Sequence, residues 1–205
     1  MLIILGILLT FFLIIKFADR KSQMELKAKN DAFWQREQQA NATRKVDISG
    51  LDYLHIPYEE LPFMDTKEER LLRFQNTLKS LENKSILKLS DYTNTDLKLL
   101  YGTANINFLS QCDTNFMTLI KTLYEWGLEL YNQGYTAEAC QVLEYGVSIK
   151  TDMGKHYLLL GEVYKSLKEY DKIDNLIHSL SELNFSTKES TLSALKELKM
   201  SYYVD

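Results

Sequence analysis

Two consecutive stretches of 34 residues decide the fold of this chain. Residues 120–153 read IKTLYEWGLELYNQGYTAEACQVLEYGVSIKTDM, and residues 154–187 read GKHYLLLGEVYKSLKEYDKIDNLIHSLSELNFST. Aligned without a gap, the two stretches place mostly small or apolar residues at the same positions. The aligned pairs are Gly127 with Gly161, Leu130 with Tyr164, Thr136 with Tyr170, Ala139 with Ile173, Leu143 with Ile177, and Gly146 with Leu180. A fixed period of this length predicts two consecutive helical hairpins.

The period, with GYTAEA between two helical stretches of the first copy, resembles the tetratricopeptide repeat. In that family small residues lie where paired helices approach closely, and the two glycines and Ala139 occupy such positions. The resemblance implies an all-α solenoid that binds other proteins. The family's closing proline is absent and Trp126 stands where leucine is usual, departures that concern the superhelical pitch more than the hairpins. The alternative interpretation is two generic antiparallel hairpins.

Residues 66–112 are predicted to form shorter helices that cover one open end of the two hairpins. The second of these helices is capped by Thr93 and Asp96 and ends near Gly102. Around Asn105–Asp113 the pattern predicts one more short turn of helix. The apolar face of the first helix consists of Leu71, Leu72, Phe74, Leu78 and Leu81.

A final helix over residues 187–201 is predicted to cap the other end. Ser186 and Glu189 have the spacing of a capping box, in which side chains satisfy free backbone N–H groups. The residues expected to face inward are Leu192, Leu195 and Leu198. We therefore predict one all-helical domain over residues 66–205.

The N-terminal segment predicts a transmembrane anchor over residues 1–18. Residues 1–15 read MLIILGILLTFFLII and carry no charged side chain. Extended through Ala18, the helix is about 27 Å long, close to the roughly 30 Å hydrocarbon core of a bilayer. A cleaved signal peptide fits less well, because no positive region precedes the apolar run and no small-residue cleavage pattern follows it.

Residues 19–46 predict a basic helical stalk, in which Phe33 and Trp34 pack on the domain or on another copy of the stalk. The basic residues that flank the anchor predict a single-pass cell-membrane protein whose C-terminal domain lies in the cytoplasm. These residues are Lys16, Arg20, Lys21, Lys27 and Lys29.

Residues 47–65 predict an apolar strap that lies along the surface of the chain's own domain. Pro57 and Pro62 exclude a single helix, and the surrounding residues are too apolar for a free linker. A partner-binding motif is the alternative. The strap, the segment YTNTDLKLLYG at 92–102 and the two hairpins, in this order, are also similar to a group of bacterial membrane-anchored proteins with tetratricopeptide repeats. That resemblance implies no activity.

Composition favours helices and argues against several classes of function. Eight glycines and two prolines in 205 residues are few for a turn-rich sheet protein. The formal net charge of −4 argues against nucleic-acid binding. Cys112 and Cys140 lack the CxxC spacing, and we expect both thiols to be reduced and buried.

The sequence contains no constellation typical of an enzyme. The three histidines, His55, His156 and His178, have no second ligand at metal-binding spacing, and neither a phosphate-binding loop nor a GxSxG turn occurs. We therefore expect no catalytic residue, no metal and no cofactor.

The tetratricopeptide resemblance implies a concave groove lined by the first helix of each hairpin. Apolar and aromatic residues with a few charges suit a peptide or a partner protein. The Lys–Asn arrangement that clamps a carboxyl terminus is absent, since Tyr124 and Leu128 hold those places. The predicted groove residues are Lys121, Tyr124, Leu128, Tyr131, Asn132, Lys155, Leu158, Glu162 and Lys165.

The sequence thus predicts a membrane-anchored adaptor that binds an unidentified peptide or protein. The alternative is a self-associating structural protein whose groove is filled by its own strap. In that case the tyrosines Tyr124 and Tyr131 pack within the chain.

Overall fold

The computed structural model describes residues 2–201, and the side chains of residues 2–11, 13 and 14 lie outside that description. The described chain is helical and contains no strand, which confirms the predicted all-α class. Its helices are α1 (Leu2–Ala42), α2 (Glu69–Lys79), α3 (Asn94–Tyr101), α4 (Ile106–Asn132), α5 (Thr136–Ser148), α6 (Gly154–Leu167), α7 (Tyr170–Ser181) and α8 (Lys188–Met200), with a 3-10 turn at Thr103–Asn105. Contacts between Cα atoms divide the chain into two compact units, Met1–Leu51 with Leu89–Leu109, and Asp52–Lys88 with Ser110–Asp205.

The first unit joins the C-terminal part of α1 to α3. The Glu37 carboxylate accepts hydrogen bonds from the Thr95 hydroxyl and, at 2.9 Å, from the Lys98 ammonium. These two bonds hold the pKa of Glu37 below its usual value. The predicted capping pair is confirmed, because the Thr93 hydroxyl and the Asp96 carboxylate each accept the other residue's backbone N–H. Helix α3 ends before Gly102, also as predicted.

Helix α1 is exposed on all sides from Ile15 to Arg36. The rings of Phe33 and Trp34, 54% and 60% exposed, meet each other edge to face with centroids 5.4 Å apart. The prediction that they pack on the domain or on another copy of the stalk stays a prediction.

Among the described residues, no helix combines the length and the apolar character that crossing a membrane requires. The predicted anchor, residues 1–18, falls mainly on residues whose side chains lie outside the description.

Helix α4 is much longer than its sequence pattern suggested. The predicted short turn at Asn105–Asp113 is wrong, because the helix runs without a break from Ile106 to Asn132. The physical reason is that neither glycine nor proline interrupts residues 103–126. The first half of α4 therefore continues directly into the stretch aligned with the repeats.

Helices α4 to α8 pack in sequence, and glycines mark their closest approaches. A Cβ atom on Gly127 of α4 would lie 2.7 Å from the Leu143 side chain of α5. A Cβ on Gly161 of α6 would lie 2.8 Å from Leu195 of α8. The two aligned glycines therefore contact different helices. Gly127 packs against the second helix of its own hairpin, whereas Gly161 packs against the final helix.

The buried face of α2 departs from the prediction in detail, whereas that of α8 agrees with it. On α2 the buried face contains Leu71, Gln75 and Leu78, whereas Leu72 is 37% exposed. The side-chain oxygen of the buried Gln75 accepts the backbone N–H of Met64 at 3.1 Å, whereas its amide nitrogen has no hydrogen-bond partner among the described residues. The inward orientation of the α8 leucines is confirmed, since Leu192 and Leu195 are buried and Leu198 packs against the core.

The predicted capping box at the start of α8 is wrong. Thr187, not Ser186, is the N-cap residue, and its side chain makes no capping hydrogen bond. A backbone bond explains the difference, because the N–H of Lys188 donates to the carbonyl of Phe185 at 3.1 Å. This turn displaces the start of the helix by one residue and removes the Ser–Glu pairing.

Residues of the segment 47–65 pack within the second unit. Ile56 and Leu61 are buried, and the Phe63 ring lies 5.2 Å from that of Trp126. The Tyr58 hydroxyl donates to the backbone oxygen of Leu78 at 2.8 Å. These contacts attach the segment to α2 and α4.

Candidate binding cavity

A cavity of about 540 Å³ opens between α4, α6 and α8. This volume lies in the range of pockets that hold a small ligand or one or two side chains of a peptide. Its lining residues are Lys121, Tyr124 and Glu125 of α4; Asp152, Met153, Gly154, Lys155 and Leu158 at the start of α6; and Ser186, Thr187, Ser190 and Thr191 at the start of α8.

The apolar part of the wall consists of Tyr124, Met153 and Leu158. All three side chains are half-buried and pack against the hydrophobic core of the unit. Packing on one side fixes their positions, while the other side remains open to a ligand. A flexible methionine beside an aromatic ring suits apolar side chains of varied shape.

The close contact of α6 with α8 closes one side of the cavity. A Cβ atom on Gly154 would lie 2.3 Å from the Thr191 hydroxyl oxygen, so no larger residue fits without displacement. The Thr191 hydroxyl in turn donates to the backbone oxygen of Thr187 at 2.8 Å, and the Ser190 hydroxyl donates to the same oxygen at 2.9 Å. Hydroxyl groups therefore line the α8 side.

The rim carries balanced charges. The Lys121 ammonium lies 3.9 Å from the Glu125 carboxylate, and the two side chains are 67% and 41% exposed. Lys155 and Asp152 add one charge of each sign at the start of α6. Such exposed pairs stabilise the fold little, typically by less than about 1 kcal/mol, and they leave the cavity without net charge.

A fully buried histidine lies behind the aromatic wall. The His156 ring centroid is 6.1 Å from that of Tyr124, and a Cβ on Gly146 would lie 2.2 Å from the His156 Nε2 atom. Neither ring nitrogen has a hydrogen-bond partner among the described residues. Burial lowers the pKa of His156 to about 3, so the ring is neutral near pH 7.

The structure brings together four of the nine predicted groove residues. Lys121, Tyr124, Lys155 and Leu158 line the cavity. Of the others, Leu128 and Tyr131 are half-buried and packed against the core, Asn132 and Glu162 are exposed, and the Lys165 ammonium donates to the Ser201 hydroxyl at 2.9 Å.

The α8 side of the cavity is not among the predicted groove residues, because the sequence predicts α8 only as a capping helix. The sequence signal for this side is the hydroxyl-rich run STKEST at residues 186–191. Gly154 was a second signal, because a glycine at the start of a helix allows a neighbouring helix to approach closely.

Other polar groups of the second unit form a structural network. The Glu144 carboxylate accepts hydrogen bonds from the Tyr164 hydroxyl at 2.9 Å and from the Lys172 ammonium at 3.1 Å.

Burial raises the pKa of Cys140 to about 12 and also raises that of Cys112. Both thiols are free and buried, as predicted, and both are protonated near pH 7. No group of three or more His, Cys, Asp or Glu side chains within the described residues has the geometry of a metal site.

No protein-family model, curated protein or solved structure matches this chain.

Proposed function

We propose that this protein is an adaptor that binds a peptide or a segment of a partner protein in the cavity between α4, α6 and α8. The observation that carries the proposal is the wall formed by Tyr124, Met153 and Leu158, which is fixed by the core on one side and open on the other. Charged groups of both signs around an apolar centre suit a polypeptide ligand better than they suit a single ion. The tetratricopeptide resemblance of the hairpins supports the same function.

The origin of the lining residues supports an open cavity. They come from α4, α6, α8 and the adjoining loops, and none of them belongs to the segment 47–65. Residues Tyr53–Ile56 and Tyr58 of that segment instead line a second cavity of about 440 Å³, together with Leu81–Ile86. A strap in that place leaves the first cavity available to a partner.

A steric block on α8 tests the adaptor proposal. Ser190 and Ser193 are both exposed serines of α8, but only Ser190 lines the cavity. Ser190→Trp places an indole in the opening, whereas Ser193→Trp is a matched control outside it. The full chain would be crosslinked in its own membranes, and the recovered proteins would be quantified after both variants are shown to fold by circular dichroism.

A partner recovered with the unmodified chain and with Ser193→Trp, but at least tenfold less with Ser190→Trp, supports the proposal; this corresponds to roughly 1.4 kcal/mol. Equal recovery with both variants contradicts it. Recovery of the protein alone favours the second candidate function, a self-associating structural protein.

The exposed aromatic pair on α1 supports that second candidate. Phe33 and Trp34 lie on a helix that is exposed on all sides, where a second copy can reach them. The mass of the full chain in a mild detergent, measured with and without a Phe33→Ser/Trp34→Ser change, tests it. A dimer that dissociates in the variant supports self-association, and a monomer in both cases contradicts it.

We also propose that residues 1–18 anchor the chain in the cell membrane, with the second unit in the cytoplasm. The uncharged apolar run and the basic residues that follow it support this location. The chain should remain in the membrane pellet after alkaline extraction, and its second unit should be digested by protease in inside-out vesicles. Release into the supernatant would contradict the anchor, and protection from protease would contradict the orientation.

A further inference from the structure

The backbone of α1 continues without a break from Leu2 to Ala42. The apolar N-terminal run and the basic residues after it therefore lie on one helix, at 1.5 Å per residue along a common axis. If residues 1–18 anchor the chain, as proposed above, this continuity fixes how far each basic residue is from the bilayer.

The segment after the apolar run has the charge that an anionic surface attracts. Residues 16–29 contain five basic and two acidic residues, a net charge of +3. All of their side chains are exposed. The Lys16 ammonium lies over the Phe12 ring, 4.9 Å from its centroid, and is thus directed back towards the apolar run.

Distance along the helix separates the remaining cations into two pairs. Measured from Ala18, the last residue of the proposed anchor, Arg20 and Lys21 lie about 3 and 4.5 Å along the axis, whereas Lys27 and Lys29 lie about 13.5 and 16.5 Å along it. The Debye length at physiological ionic strength is about 8 Å. Only the first pair is therefore within reach of a charged bilayer surface when α1 stands upright on it.

We propose that Arg20 and Lys21 bind the headgroups of anionic phospholipids where α1 leaves the bilayer. Charge complementarity supports this occupant, together with the continuity of the helix with the apolar run. A basic side chain near such a surface contributes about 1 kcal/mol, so the pair should raise affinity for anionic vesicles about 30-fold.

Two charge-matched double variants test the proposal in the full chain. Arg20→Gln/Lys21→Gln and Lys27→Gln/Lys29→Gln each remove two positive charges from exposed positions of the same helix. Flotation would measure the binding of each chain to phosphatidylcholine vesicles with and without phosphatidylglycerol, at lipid concentrations below saturation. We expect phosphatidylglycerol to raise binding of the unmodified chain and of Lys27→Gln/Lys29→Gln about 30-fold, and that of Arg20→Gln/Lys21→Gln only severalfold or less.

An equal loss in both double variants would overturn the assignment to Arg20 and Lys21, because it indicates a helix that lies flat on the surface. No gain from phosphatidylglycerol in the unmodified chain would also overturn it. Neutral vesicles test the anchor separately. Flotation with neutral vesicles, with no gain from phosphatidylglycerol, would support the anchor and contradict the binding of anionic headgroups by Arg20 and Lys21. A chain that floats only with anionic vesicles would contradict the anchor and, with it, the position of Arg20 and Lys21 at the exit from the bilayer.

Discussion

The buried His156 predicts that the second unit loses stability in mild acid. Burial holds the pKa of this ring at about 3 in the folded chain, against a usual value of about 6.5. The unfolded chain therefore binds a proton first as the pH falls. The stabilising contribution is complete above about pH 6.5, and it is lost progressively as the pH falls from there towards 3.

The size of the effect follows from the shift. Each pH unit between the two pKa values lowers the free energy of unfolding by about 1.4 kcal/mol, so the loss from pH 7 to pH 5 is about 2 kcal/mol. Comparison with a chain that lacks this ring isolates its contribution. The geometry permits no relief within the folded state, because the ring lies against Gly146 and has no acceptor among the described residues.

Urea unfolding of the full chain in a non-ionic detergent, followed by tryptophan fluorescence, measures this loss. Trp126 is fully buried in the second unit and reports its unfolding, whereas the exposed Trp34 contributes a nearly constant background. His156→Leu should remove the dependence between pH 7 and pH 5. His178→Gln is the matched control, because His178 is an exposed histidine and its removal should leave the slope unchanged.

A wild-type slope equal to that of His156→Leu would refute the reasoning, because it means that the ring gains a proton in the folded state as easily as in the unfolded chain.

Three further substitutions have expected effects on stability, and the same unfolding experiment measures the first two. Gly154→Ala should cost about 1–3 kcal/mol, because its Cβ would meet the Thr191 hydroxyl, and Thr191→Ala should restore much of the loss in the double variant. Tyr131→Ala should cost about 1–3 kcal/mol, because it leaves a gap against the core. Partner recovery per folded molecule should not change. A decrease in melting temperature of less than about 2 °C would instead indicate that the side chain is not packed. Gly102→Ala should cost at least about 2 kcal/mol, because its φ of +82° and the Arg44 backbone oxygen 2.3 Å from a Cβ both exclude a side chain. The loss of stability in the first unit would be measured by α-helical circular dichroism during heating. A thermal unfolding curve equal to that of the unmodified chain would contradict the prediction.

The sequence predicted the helical class and several helix ends, because these depend on local chemistry. Thr93 with Asp96 formed the expected cap, and Gly102 the expected end. Helices α5 and α7 begin at Thr136 and Tyr170, which is the separation of the sequence period. Whether that period reflects tetratricopeptide ancestry stays a prediction.

The two errors in helix detail have different causes. Gln75 is buried in place of Leu72 because a backbone N–H reaches its side chain from a segment eleven residues away in sequence, which the pattern of α2 alone does not show. The error at α8 is local. Thr187 is the N-cap in place of Ser186 because the N–H of Lys188 bonds to the carbonyl of Phe185, three residues earlier, and competes with side-chain capping.

The candidate site also has one part that the local sequence predicts and one part that it does not. Lys121, Tyr124, Lys155 and Leu158 follow from the helical register, because residues on one helix face lie together. The hydroxyl side depends on where α8 returns in space, and that position is set by the contacts of Gly154 and Gly161 with it. No local pattern encodes such a return.

The two aligned glycines, Gly127 and Gly161, contact different helices, and this difference limits where a further hairpin could be inserted. The first hairpin closes on itself, because Gly127 receives Leu143 from its own second helix. The second hairpin also depends on α8, because a Cβ on Gly161 would meet Leu195 and Leu198 of that helix. Helices α6, α7 and α8 therefore form one block that must be inherited together. We expect a hairpin inserted after Leu183 to destabilise the fold, because it separates Gly161 from Leu195 and Leu198.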